Sequence, residues 1–439
     1  MDQHSTQVYM DRWRAHLMAE LRRLQKSLGE RPSDEFPYTP PSTNGRSSPV
    51  CKSEPRSPGR WAVMGPRTKV AVFGATGRSA SSIIEGLLES PTDFDVTAFS
   101  RPCSFKKPQS MSYRSRGIHV LPYDLKRPNQ DALISILRNF DVVISALGLD
   151  AILDQIPLAT MVKAAGVGRF VPAMYATCTP AVGVEDVREM KEEVLNHVKK
   201  IGLTYTVIDV GCWYEGYIFG LRSSQPQCAP PTLPFGGNVI PGTGDVPTAI
   251  TSFRDVGRWV AQIVEDPRTL NKMVFAYGSV LTANQAFDVV ERLTRGKGDR
   301  NYISGDHLLT TIFEARTAMK RGEACEMTLN KLHSAQSLYS YGFRGDNTPW
   351  NAKFLGYLDA RELYPEFRTI SFEEFTGKGS TLVGKEKANE EGDREGVEVL
   401  LSGQTNTSTS YHMLRPVDLS SERRMRHSND SSITPSSIS

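Results

Sequence analysis

KVAVFGATGRSA, residues 69–80, decides the reading of this chain. A β-prone run, Val70 to Phe73, ends directly on Gly74. The spacing that follows is Gly74-x-x-Gly77-x-x-Ala80, and a helical pattern then runs through Ile83, Ile84, Leu87 and Leu88. A strand that stops on glycines and opens a helix is how a dinucleotide pyrophosphate is held. The glycines let backbone N–H groups approach the phosphates, and the helix N-terminus adds partial positive charge. Gly-rich turns are common, so the weight rests on the context: a strand before, a helix after, and a second strand ending at Arg101. Gly74, Ala75, Thr76, Gly77 and Arg78 are therefore the candidate pyrophosphate-binding residues.

Outward from this turn the pattern repeats. Strands are expected at Val70–Phe73, Val96–Phe99, His119–Leu121, Val142–Ala146, Phe170–Pro172 and Tyr205–Val210. Helices are expected over about 79–90, 128–138, 153–165 and 186–201. Apolar strand runs alternating with amphipathic helices predict an α/β fold, a doubly wound parallel sheet of the Rossmann type covered on both faces. Ligands in such folds sit at the carboxyl ends of the strands.

The chain has 439 residues, enough for one large α/β domain with tails. Its apolar content of 39% is low for a wholly globular chain, so parts of it should be unfolded. Residues 31–67, rich in Pro, Ser and Arg, read as a linker, and 378–439, rich in Ser, Thr, Glu and Gly, as a disordered tail. Within 1–68, Met10, Trp13, Leu17, Leu21, Leu24 and Leu28 fall at helical spacing. That helix either packs on its own domain or meets a protein partner; Asp2, Asp11 and Glu20 argue against a mitochondrial presequence. A net charge of +3 is too balanced to point to nucleic acid. The six cysteines form no C-x-x-C pair, and no His/Cys cluster has zinc spacing, so no metal is expected. No apolar signal core and no membrane-spanning run stand out, which makes a soluble, cytoplasmic protein the expectation.

Strand ends supply the candidate site. Arg101 follows the second strand where an acidic residue would bind the ribose 2′-OH of NAD; an arginine there can pair with the 2′-phosphate of NADP. Lys106 and Lys107 follow closely, and Arg78 favours the same anionic cofactor. Asp124, after the third strand, either accepts from the adenine amino group or caps the next turn. Ala146 and Gly148 end the fourth strand with small residues that let a cofactor pass, and Pro172 to Tyr175 end the fifth, where the nicotinamide should lie. Lys191 is the candidate catalytic residue. Hydride delivery to a carbonyl or conjugated double bond leaves a developing anion, which an ammonium can stabilise and protonate. Taken alone, a lysine in Lys191-Glu192-Glu193 reads more readily as a solvated helix charge. Residues 223–247, rich in Pro and Gly, read as a lid or a spacer, and Asp255 as a helix N-cap. Trp350, Tyr357, Tyr364 and Phe367 mark an aromatic C-terminal lobe made mostly of packing residues.

Over about 69–377 the chain resembles the NmrA-like, isoflavone-reductase-like branch of the atypical short-chain dehydrogenases, particularly its fungal members. The carrying residues are GATGRSA (74–80), Arg101, DVVISALG (141–148), RFVP (169–172), MKEEVLNHVKKIGLTYTVIDVGCWYEGY (190–217), EDPRTLNKMVFAY (265–277) and RGDNTPWNAKFLGYLDARELYP (344–365). The resemblance implies a Rossmann core, a smaller C-terminal α/β substrate lobe and NADPH as cofactor. It places Lys191 on the branch's catalytic lysine, and Cys212, Trp213, Tyr214 and Tyr217 on its substrate pocket. The chain departs from the pattern at Ala80, which replaces the third glycine, and at Ala173-Met174-Tyr175-Ala176, where the branch carries an acidic or Ser-Glu pair followed by Phe-Gly. It also lacks a Tyr-x-x-x-Lys pair, since Val187 stands four residues before Lys191, so Tyr175 or Tyr214 would have to reach the site through space. Two functions follow: an NADPH-dependent reductase of a hydrophobic, aromatic small molecule, or a non-catalytic NADP(H)-sensing regulator with a protein partner on the N-terminal helix.

Overall fold

The computed structural model describes residues 67–126, 129–217, 239–298 and 300–377. The expected N-terminal helix and nearly all of its linker, the C-terminal tail, and most of the expected lid lie outside the described residues.

Strands β1 (Thr68–Phe73), β2 (Phe94–Ser100), β3 (His119–Pro122), β4 (Val142–Ser145) and β5 (Arg169–Val171) form one sheet in the order β3-β2-β1-β4-β5. Every pairing in it is parallel. A bridge from Phe170 to Tyr205 leads on to β6 (Thr206–Asp209), which pairs in parallel with a later strand, Lys272–Phe275. Side chains alternate across the strands, and each face buries its own core. Val70 and Val72 meet helix α1 (Arg78–Leu88) through Ile83, Ile84 and Leu87. Helices α2 (Pro108–Ser115), α3 (Gln130–Leu137), α4 (Gln155–Ala165) and α5 (Asp186–Lys200) follow β2 to β5 in turn, and Ala71 and Phe73 face the opposite way, toward Leu158 of α4 and Met190, Val194 and Val198 of α5. Burial on both faces explains why these strands read as continuous apolar runs.

The chain reverses direction across the sheet between β1 and β4, and that switch point opens the ligand crevice. The phosphate-turn helix α1 crosses a later helix, Phe253–Glu265, at a pair of glycines. A Cβ on Gly86 or Gly257 would enter the backbone of the opposing helix, so only glycine permits this approach. It brings the start of the later helix against the phosphate turn, where the Arg78 guanidinium stacks on Phe253 at 4.4 Å. Asp255 is not the N-cap of that helix. Ser252 is: its hydroxyl accepts from the Asp255 N–H at 3.3 Å, while the buried Asp255 carboxylate accepts from Ile370 N–H and Arg258. Both residue types suit a cap, and tertiary partners decided between them.

Among the described residues, the C-terminal part of the chain includes two small sheets and the helices Ala283–Thr294, Gly305–Arg321 and Glu326–Tyr339. The described end of the expected lid is a strand, Val239–Pro241, and a turn whose Thr243 carbonyl and Asp245 carboxylate accept from Asn284. Of the expected aromatics, Phe367 stacks on the buried Trp259 at 3.7 Å, Tyr364 donates to Asp266, and Tyr357 reaches the core of the site. Trp350 is exposed.

Candidate active site

A cavity of about 700 Å³ runs along the carboxyl ends of the strands, a size in the range of small-molecule and cofactor sites. Its cofactor half opens on the β1–α1 turn, with Gly74, Thr76, Gly77, Arg78 and Ser79 in the wall. Gly74 has φ +82, and a Cβ there would lie 2.6 Å from the Ala146 carbonyl. Only glycine therefore lets the turn lie this close to the end of β4. Gly77, the N-cap of α1, carries no side-chain cap, and the first turn holds no acidic residue. An uncapped helix start beside a cation and bare glycine backbone is a fitting seat for a pyrophosphate.

Arg101 and Lys107 line the same half; Lys106 does not. Arg101 lies 3.9 Å from Asp150 and is more than half exposed, a loose pairing that leaves it able to turn to a 2′-phosphate. Asp124 lines the cavity and also caps a turn, accepting from Lys126 N–H at 3.0 Å, so both expected roles stay compatible with its place. Ala146 and Gly148 line the cavity, whereas Ala75 and Pro172 do not. Ala75 is fully buried behind the turn, and the Pro172 carbonyl accepts from Met174 N–H at 2.8 Å to start the next bend.

That bend, Ala173 to Ala176, forms the wall of the second half. Neighbouring elements pin it residue by residue. Ala173 N–H donates to Gln155 Oε1 at 2.7 Å, Tyr175 N–H to the Ile208 carbonyl at 2.9 Å, and Ala176 N–H to Asp209 Oδ1 at 3.1 Å. Tyr175 adopts φ 38, a left-handed conformation costly for a bulky residue and common near functional sites. Its ring is buried in the wall and its hydroxyl has no partner.

Helix α5 (Asp186–Lys200) brings Lys191 to this wall. The Lys191 ammonium donates to the Met174 carbonyl. Burial lowers its pKa to about 8; Arg188 adds to that fall, while Asp209 and Glu185 oppose it. Beneath it lies a closed network. Asp209, fully buried, accepts from Arg188 Nη1 and from the Tyr357 hydroxyl, each at 2.6 Å, and Arg188 also pairs with Glu192 at 2.7 Å. The network sets the position of α5 and therefore of Lys191.

Among the expected substrate residues, Tyr175 and Trp213 line the cavity, Trp213 with its ring 4.6 Å from Phe253 and its indole N–H unpartnered. Tyr214 and Tyr217 do not line it. The chain enters a single helical turn at Tyr214, which swings that ring among Phe372 and Phe375 and ties its hydroxyl to Ser279 and the Ile370 carbonyl. Tyr217 instead faces Tyr341 at 6.3 Å. Motif reading missed Glu185, Thr177, His333 and Ser337 in the wall and Asp209 beneath it. Asp209 carries a readable signal, an acid ending the apolar run Val207-Ile208. His333 and Ser337 come from a distant helix and carry none.

Among the described residues no group of three or more His, Cys, Asp or Glu could hold a metal ion, and no helix is long and apolar enough to cross a membrane.

The model of the NmrA-like family matches residues 66–376. Asnovolin J 5′,6′-dehydrogenase from Aspergillus novofumigatus is 39% identical over 309 residues, 70% of this chain and 93% of its own length. Eugenol synthase 2 from Clarkia breweri is 28% identical over 324 residues, 71% and 98% of the two chains. Leucoanthocyanidin reductase from Vitis vinifera, solved as a binary complex with NADPH, superposes with a TM-score of 0.59 at 22% identity, covering 71% of this chain and 99% of that one. AtPrR2, solved with NADP+ and (+)-pinoresinol, gives 0.59 at 23% identity over 72% and 100%. Likeness at that identity establishes the shared Rossmann-type fold.

Proposed function

The chain belongs to the NmrA-like family, and on that footing we propose that it is an NADPH-dependent oxidoreductase acting on a hydrophobic, aromatic small molecule of the secondary-metabolite type. The observation that carries the reading is Lys191: an ammonium held on the Met174 carbonyl, in the wall of a cavity whose other half is a bare glycine turn and an uncapped helix start. Gly74 and Gly77 let backbone N–H groups meet the pyrophosphate, and Arg101 with Lys107 meets the 2′-phosphate. The bound cofactor supplies or accepts the hydride. Trp213, Met174 and Val187 offer the substrate apolar wall. Lys191 then protonates the reduced substrate, or takes the proton when the reaction runs as a dehydrogenation. The enzymes and complexes similar to this chain, leucoanthocyanidin reductase with NADPH and AtPrR2 with pinoresinol among them, support that choice of cofactor and substrate class.

The regulatory alternative needs the binding half only. It gives no reason for an amine of lowered pKa to face the cavity, and its expected partner helix lies outside the described residues.

The test is NADPH oxidation over a panel of aromatic enones and ketones, with the intact chain and with Lys191→Ala. The variant should lose about 10²- to 10⁴-fold in kcat with NADPH affinity unchanged. A proton donor must be charged, so kcat for reduction should hold below about pH 8 and fall as pH rises past it. Tight NADPH binding with no turnover across the panel would overturn the enzyme reading.

A further inference from the structure

Two carboxyl groups bear on the Lys191 ammonium, Asp209 and Glu185, and their settings differ. Asp209 is spent: Arg188, Tyr357 and the Ala176 N–H occupy it, and it has no exposed surface through which to exchange a proton. Glu185 is half-buried, lines the cavity, and is held by hydroxyl groups rather than by an ion pair. Thr179 donates to its Oε1 at 3.3 Å, and the Thr179 hydroxyl pairs at 3.2 Å with Thr177, which opens on the cavity. Although Glu185 is the N-cap residue of α5, its side chain makes no capping bond, so the helix leaves the carboxyl free for another task.

We infer that Glu185 is the positioning and proton-returning partner of Lys191, restoring the ammonium after each turnover from its place beside Lys191 in the cavity wall. This rests on Lys191 being the proton donor. In the reductive direction the Lys191 ammonium gives its proton to the substrate as hydride arrives from the dihydronicotinamide. The substrate is reduced, the nicotinamide is oxidised, and Lys191 is left as a neutral amine. The Glu185 carboxylate then takes a proton from water in the cavity and passes it to that amine. The sum consumes one hydride and one solvent proton.

Burial raises the Glu185 pKa, against the pull of Lys191 and Arg188 on its own helix and of the Thr179 and Ser340 hydroxyls. Cys212 and Tyr341 also face it, both protonated at neutral pH because burial raises their pKa values. With Lys191 lowered to about 8, acid and amine are brought toward each other, as a proton-exchanging pair needs.

The first arm needs no substrate. Acylation of Lys191 by acetic anhydride, followed by peptide mass spectrometry, reports its uncharged fraction in the full chain. Losing the Glu185 charge should lower the Lys191 pKa, so Glu185→Gln should be acylated about threefold faster at pH 7.5, with Glu185→Asp returning toward the parent rate. The second arm is kinetic. Glu185→Ala should lose about tenfold in kcat at unchanged KM on any panel compound turned over, and added formate should restore it while leaving Lys191→Ala inactive. An unchanged acylation rate in Glu185→Gln, or a kcat that does not fall or is not rescued in Glu185→Ala, overturns the inference. Full activity in Lys191→Ala overturns the reading beneath it instead.

Discussion

The two halves of the cavity are built on opposite principles. In the cofactor half most of the working groups are backbone: an open turn and a bare helix start within a dozen residues of one another, beside the end of β4 at Ala146. In the reaction half they are side chains and one carbonyl, held by partners from far along the chain. Gln155 fixes Ala173, Asp209 fixes Ala176, and Arg188 and Tyr357 fix Asp209. A phosphate seat tolerates little variation because geometry is its function. A proton-transfer site can exchange its residues so long as one titrating group keeps its place. The departure at 173–176 changes side chains, but the bend still offers a carbonyl to Lys191.

Three substitutions probe this division. The largest effect is expected in the reaction half, from Asp209→Ala. It leaves the buried Arg188 guanidinium without its carboxylate and should cost about 3–5 kcal/mol in urea or thermal unfolding. If the protein loses activity with no loss of stability, Asp209 acts on the chemistry and not through the network. Next is Gly74→Ala. A left-handed φ costs a Cβ-bearing residue about 1–2 kcal/mol, and the added atom also meets the Ala146 carbonyl. NADPH should bind about ten- to a hundredfold more weakly by calorimetry, with Lys191 acylation unchanged; a loss of both would mean that the halves are not separable. The smallest is Arg101→Ala, because the side chain is largely exposed. NADPH affinity should fall about tenfold while NADH affinity barely moves. Equal losses would mean that Arg101 does not read the 2′-phosphate.

The nucleotide-binding half of the fold was legible in the chain, while the strands and helices after residue 210 were not placed. Six strands and four helices fall within two residues or so of their expected places, because burial on both faces or on one stripe writes a clear period into the sequence. The site was legible in proportion to how local it is. Trp213 and Tyr214 are adjacent in an aromatic stretch; one lines the cavity and the other packs against Phe372, and only the helical turn at Tyr214 separates them. Asp255 and Ser252 are both good caps, and the Ile370 N–H drew the aspartate into the protein instead.

By itself, then, the sequence determined the doubly wound sheet, the phosphate turn and the cationic residue after β2, since each is written in neighbours or in a period of two or 3.6 residues. The tertiary structure decided what makes Lys191 more than a surface charge. Its burial, the Met174 carbonyl it holds, and the two carboxyls of unequal freedom beside it arise only when segments far apart in the chain close around one helix. Solvation and charge at a point depend on everything within a few ångströms, and linear order does not record that distance.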